Sequence, residues 1–231
     1  MLSRSILCAS VFLAALAVPA AAVPVMTASQ SGMPLGPYYA NFNNLPMGGA
    51  GGVTNPDIAV SFTGDGGVVT GFLSGKYAAP YVNGNGLPFG DPTTGSDLTR
   101  YLSTGIGSVT LAFTLPQTYI GLLWGSVDHY NTLSLYNGNA LVASFTGTDV
   151  NAAANGDQGI QGSYYVNISN LDPFTRAVFS SSSYAFEFDN VSYNVDPPGV
   201  VPEPLTLALF GTGLFGLTML ARRRRTAFAA I

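Results

Sequence analysis

The sequence predicts an all-β protein, a single β-sandwich of jelly-roll-like topology set between an N-terminal signal peptide and a C-terminal transmembrane helix. Three observations lead there. Glycine (28 residues) and proline (15) are abundant, as a chain of many short strands and tight turns requires. Apolar residues in the body recur at a period of two, without the 3.6-residue stripe of an amphipathic helix. Both ends carry apolar runs, which raise the mean hydropathy of a chain only 9% charged. With 231 residues there is material for one domain with a substantial core.

The first segment, residues 1–22, has a cation at Arg4, an apolar run over 6–18, and Ala20 and Ala22 at its exit. This is the build of a secretory signal, with cleavage by signal peptidase expected after Ala22. A buried first helix would show an apolar stripe, and this run shows none. Cys8 is the single cysteine and falls inside the segment. The exported chain then has no disulfide, thiol nucleophile or thiolate metal site, and a body of this size can do without them. Leu7 stands where a lipoprotein signal needs a small residue.

The body, residues 23–198, opens loosely. Residues 48–52 and Asn83-Gly84-Asn85-Gly86 read as turns or linkers. Between them, 58–63 and 68–73 read as short strands of a hairpin about Gly64-Asp65-Gly66-Gly67. Alternation sharpens over 109–115, so one face of that strand is buried. Residues 119–124 are apolar nearly throughout, as in a central strand covered on both faces, and Trp124 among them is expected in the core. Residues 132–136 and 140–145 flank Asn137-Gly138, the strongest short hairpin signal. Further strands follow at 164–168, 177–180 and 184–191. No internal repeat is visible, which disfavours a propeller or solenoid.

The linker 199–204 holds Pro202, Glu203 and Pro204; an uncharged run follows over 205–221, and Arg222, Arg223, Arg224 and Arg225 open the tail 222–231. At 1.5 Å per residue that run makes about 25 Å of helix, enough for a thin bilayer with snorkelling arginines. Gly211, Gly213 and Gly216 are tolerated in membrane helices, and the arginines set the cytoplasmic side. The body then lies outside the inner membrane. Motif, apolar span and arginine cluster, in that order, resemble the PEP-CTERM sorting signal of Gram-negative bacteria. The resemblance covers residues 200–231 and implies recognition of Pro202-Glu203-Pro204 by an exosortase, a membrane transpeptidase-like cysteine enzyme, with removal of the tail. It also implies an address, from a transient inner-membrane anchor to the cell surface or extracellular space, and an association with exopolysaccharide and biofilm. The extension 226–231 departs from the many members that stop sooner after the arginines. Within the body, the stretch from Leu122 to Asn190 resembles one group of exosortase-dependent surface proteins, which brings no catalytic activity with it.

Between Val23 and Val201, three cations (Lys76, Arg100, Arg176) stand against eleven carboxylates, a net charge of −8. So acidic a body cannot neutralise many phosphates, which argues against nucleic acid as a partner. His129 is the only histidine, so histidine-rich zinc sites lack ligands. It follows Asp128, but neighbours on one strand point to opposite faces, so that Asp does not orient it, and only another Asp could. No Gly-x-Ser-x-Gly elbow is present. Glu187 and Asp189 lie two apart, opposite Phe186 and Phe188. They read as acids on the wet face of an edge strand rather than a glycosidase pair, and no catalytic residue is assigned.

Asp149, Asn151, Asn155 and Asp157 form an oxygen-rich loop. Calcium would suit it, though the spacing is not that of an EF-hand, and a solvated turn is the other reading. Calcium is the one cofactor the sequence offers. Tyr38, Tyr39, Tyr77, Tyr81, Tyr164, Tyr165 and Trp124 are candidates for stacking on sugars. Two function classes stay open. One is a non-enzymatic surface or matrix protein that binds extracellular polysaccharide. The other is a secreted carbohydrate-active hydrolase on a jelly-roll scaffold, which a cleft with two facing carboxylates would favour.

Overall fold

A computed structural model describes residues 23–54, 58–91 and 94–194. The expected signal segment, sorting motif, membrane run and arginine tail lie outside the described residues. No helix among those described is long and apolar enough to cross a membrane.

In the first half the strands are β1 (Val25–Ser29), β2 (Tyr38–Ala40), β3 (Gly52–Val53), β4 (Ile58–Gly64), β5 (Gly67–Thr70), β6 (Phe72–Leu73), β7 (Tyr77–Ala78), β8 (Tyr81–Asn83) and β9 (Thr94–Ser96). The second half adds β10 (Arg100–Thr104), β11 (Gly107–Gln117), β12 (Tyr119–Gly125), β13 (Asn131–Asn137), β14 (Ala140–Thr146), β15 (Tyr164–Ser169), β16 (Phe174–Ser181) and β17 (Phe186–Asn194). One short helix, α1 (Gly147–Val150), follows β14, and a 3-10 turn spans Leu87–Phe89.

Two antiparallel sheets face each other across one core. The front sheet runs β1-β15-β12-β17-β10-β5, with β2 also paired to β17 beyond β10; the back sheet runs β14-β13-β16-β11-β4-β3. From β10 onward the chain switches sheets at every connection except the β13–β14 hairpin. The result is β10-β17-β12-β15 over β11-β16-β13-β14, the strand order of a jelly roll. Period-two alternation supplies the core. Val109, Leu111 and Phe113 of β11 and Phe174, Ala177 and Phe179 of β16 meet Leu122, Trp124, Phe186 and Phe188 of the front sheet. Trp124 stacks on Phe186 at 4.3 Å between ring centroids, and Phe179 on Phe188 at 3.8 Å. β12 is buried along its whole length, in keeping with its unbroken apolar sequence.

The Asn137-Gly138 signal closes the β13–β14 hairpin, with Asn137 opposite Ala140 and Gly138 at φ 58°. Residues 64–67, by contrast, do not close the expected hairpin. β4 pairs with β11 in the back sheet and β5 with β10 in the front, so this turn carries the chain between sheets. Gly64 sits at φ 57°, and a Cβ there would strike the Ile106 carbonyl. The turn is local chemistry, whereas the pairing is decided by partners some forty residues away. After β5, residues 71–91 and 94–99, bearing β6 to β9, fold over the outer face of the front sheet.

Candidate functional site

Phe186, Phe188, Val191 and Tyr193 of β17 point into the sandwich. Glu187, Asp189, Asn190 and Ser192 lie on its other side. Two successive outward residues fit because β12 pairs Gly121 with Ser192 but Leu123 with Asp189, leaving a bulge at which Asn190 adopts φ 53°. The expectation of a wet edge strand fails here. β17 lies between β12 and β10, and Glu187 and Asp189 are 2% and 0% exposed. The cause is the cover. Its Ala78 N–H donates to Glu187 Oε1 at 2.9 Å, its Asp91 accepts from Asn190 Nδ2 at 2.6 Å, and its Tyr81 N–H donates to Ser163 Oγ at 2.8 Å. A small apolar cluster of Val82, Phe89, Leu123 and Tyr165 fastens it further.

At one end of the cover opens a largely polar pocket of about 190 Å³, whose walls include Lys76, Tyr77, Asp128, Tyr130, Tyr184 and Glu187. The Tyr130 hydroxyl lies 2.6 Å from Asp128 Oδ2 and 2.6 Å from the Tyr184 carbonyl. It has one hydrogen for two acceptors, so both contacts are satisfied when Asp128 is itself protonated. Burial pushes the Asp128 carboxyl up, against the opposing pull of the Tyr130 hydroxyl and of His129. Burial also pushes Glu187 up to about 8, with the Ala78 N–H opposing and the charge of Asp128 adding. Gly156, at φ 72°, packs where a Cβ would meet the Asp128 carboxylate. His129 is exposed and sets its ring edge-on against Tyr130.

A second acidic cluster lies beneath the cover. Asp91, Asp97 and Asp189 are all buried and offer carboxylate oxygens within 4.8 Å of one another. Asp97 Oδ1 accepts from the Thr99 N–H and hydroxyl, each at 2.7 Å. Asp91 Oδ1, Asp97 Oδ2, both oxygens of Asp189 and Asn190 Oδ1 have no hydrogen-bond partner of good geometry within the protein. Burial, then the charge of Asp97, a hydrogen bond shared with Asp97 and the charge of Asp91 hold Asp189 well above the usual carboxylate range, with the Asn190 N–H opposing. Asp91 is raised too, by burial first, with Asn190 opposing. The body's cations are engaged elsewhere. Arg100 donates to the Asn43 and Leu45 carbonyls, Arg176 to the Gly138 carbonyl, and Lys76 stands over the Tyr184 ring.

The oxygen-rich loop read from the sequence is occupied with its own turns. Asp149 Oδ2 accepts from the Thr146 N–H at 2.7 Å and closes the capping box of α1. Asn151, Asn155 and Asp157 accept from the N–H groups of Ala153, Asp157 and Gly159. The aromatic candidates scatter. Tyr38 stacks on Tyr193 and Tyr39 meets Phe89 edge-on, while Trp124 and Tyr165 are fully buried. Tyr81 lies on β8 and Tyr164 on β15, so of the seven only Tyr77 reaches the pocket. Sequence reasoning missed Tyr130, Tyr184 and Lys76 there, and Asp91 and Asp97 beneath the cover. Both aspartates sit in turn-like stretches that look solvated. The available signal was the pair Asp189-Asn190, which breaks the alternation between Phe188 and Val191 and so marks a bulge.

Residues 200–225 match the family model described as the PEP-CTERM protein-sorting motif. The chain therefore carries the signal for exosortase-dependent sorting to the cell surface through membrane-associated processing. No curated protein and no solved structure matches the chain.

Proposed function

We propose that this is an exported surface or matrix protein without catalytic activity, which holds extracellular polysaccharide in the pocket between β7, the 126–130 turn and Tyr184. On this reading signal peptidase removes residues 1–22, the run 205–221 anchors the chain briefly in the inner membrane, and exosortase acts at Pro202-Glu203-Pro204. The carrying observation is the pocket's lining, in which the rings of Tyr77, Tyr130 and Tyr184 stand beside Asp128, Gln158 and Glu187. Sugars present apolar C–H faces and hydroxyl edges. Aromatic rings pack against the first, and carboxyl and amide groups bond the second.

The binding test uses the full-length chain in detergent and the exopolysaccharide of the producing cells. Retention on the polysaccharide is expected for the parent and lost in Tyr184→Ala, a residue 36% exposed. Equal retention of both would refute the pocket. The sorting test is separate: Glu203→Ala should remain in the membrane fraction or be degraded, and normal surface release would refute processing at that motif.

One observation favours a hydrolase instead. Asp128 and Glu187 line the same pocket, and a carboxyl pushed to about 8 keeps its proton at neutral pH, as a general acid must. New reducing ends released from the same polysaccharide, and lost in Glu187→Gln, would establish that reading.

A further inference from the structure

The geometry points to a calcium site formed by Asp91, Asp97 and Asp189 beneath the cover of the front sheet. Oxygens bound to one calcium at 2.3–2.6 Å stand at most about 5 Å apart, and the three carboxylates meet that limit at 4.8 Å. The three carboxylates carry four buried oxygens without a hydrogen-bond partner of good geometry, toward the six to eight oxygens that calcium takes from carboxylates, carbonyls and water. Asp189 is the telling residue. It is 0% exposed, it presents an oxygen within 4.8 Å of the Asp91 and Asp97 carboxylates, and neither of its oxygens has a hydrogen bond of good geometry. A proton shared between Asp97 and Asp189 relieves part of the charge repulsion and serves two oxygens, leaving the others unmet. A cation serves them together.

The donors are all oxygen, which selects a hard cation over zinc or copper. Calcium is favoured over magnesium for two reasons. The ligands come from three separate places, the turn before β9, the turn after it and the β17 bulge, and such a set suits flexible coordination better than a strict octahedron. The cluster is also buried, whereas magnesium keeps several of its waters. The consequence is structural. The ion would clamp Asp91 and Asp97 of the cover onto Asp189 of β17, and that cover also carries the Lys76 and Tyr77 wall of the pocket. None of these ligands belongs to the 149–157 loop.

The test is thermal unfolding of the full-length chain in detergent, stripped with EDTA and titrated with calcium or magnesium chloride. A ligand that binds only the folded state raises its melting temperature. Calcium should raise it by several degrees at concentrations where magnesium and matched sodium do little. The shift should vanish in Asp189→Asn and persist in Asp172→Asn, an exposed acid. Should Asp189→Asn fail to fold, Asp97→Asn takes its place. Terbium luminescence sensitised by tyrosine gives a second readout, quenched by added calcium in the parent and absent in the variants. Equal responses to calcium and magnesium, no response to either, or a calcium shift retained in both Asp189→Asn and Asp97→Asn would each overturn the site.

Discussion

On the inner face of the front sheet, Trp124, Phe186 and Phe188 meet the side chains of the back sheet; on the outer face, one residue along the same strands, Leu123, Glu187 and Asp189 meet a covering stretch of turns and strands two or three residues long. Both faces are buried, by different means. The inner face is closed by apolar area, which carries no titrating group and no ion-binding group. The outer face is closed by a small apolar cluster and by individual bonds from the cover to carboxyl and amide groups, several of which keep unmet acceptors. Its stability therefore depends on protons and ions. A jelly roll can in this way place a condition-sensitive layer directly on a condition-insensitive one, using alternate residues of one strand.

The largest expected effect lies inside. Trp124→Ala should cost about 3–5 kcal/mol, because the ring is fully buried against Phe186 and its removal leaves a cavity. Denaturant unfolding at pH 5 and pH 8, with and without calcium, should give nearly the same loss each time. A loss that varied with pH or ion would mean that the two layers are coupled, and would break the contrast drawn above.

Next comes the pH response of the outer face. Glu187 rises from 4.5 to about 8, and Asp189, Asp91 and Asp128 are raised as well. Between the unfolded and folded values the folded state holds protons that the unfolded state has released. Stability therefore falls as pH rises through that window, by a few kcal/mol from about pH 4.5 to about pH 8. The groups that face Glu187 are the Ala78 N–H, Asp128, Tyr130 and Tyr101, with Lys76 in the shared pocket wall. Glu187→Gln should flatten part of the slope, and calcium should flatten the part owed to Asp189 and Asp91. A melting temperature that rose between pH 5 and pH 8 in EDTA would contradict the sign.

Legibility from sequence follows the same division. Alternation in 109–115 and the apolar run 119–124 disclose the inner face, since each such residue reports its own burial. Asn137-Gly138 discloses a hairpin because the turn and its pairing are both local. The partners of β4 and β5 are not local, so the glycine-rich turn at 64–67 could not say that it joins two sheets. The cover was hidden for a further reason. Its strands are too short to show a period, and the aspartates it buries stand in the same turn chemistry as solvated ones. Only the extra polar residue between Phe188 and Val191 betrays, on the strand itself, that something unusual happens outside.

The smallest expected effects belong to the 149–157 loop, and they sharpen the question of where an ion binds. Asp149→Ala removes the side chain that closes the capping box with Thr146, a change worth about 1 kcal/mol. Asp157→Ala removes one bond to the Gly159 N–H at an exposed position and should cost less than about 1 kcal/mol. Neither carboxylate belongs to the buried cluster, so each variant should keep the calcium-dependent rise in melting temperature. The two can be ranked by what each oxygen does already. In the loop, Asp149 Oδ2, Asn151 Oδ1, Asn155 Oδ1 and Asp157 Oδ1 each accept an N–H from within three residues, and an ion there would have to compete with those bonds. Beneath the cover, neither oxygen of Asp189 accepts a hydrogen bond of good geometry, so an ion there would displace less. A calcium response lost in Asp157→Ala and kept in Asp189→Asn would reverse that ranking, placing the ion on the surface and leaving the buried carboxylates to protons alone.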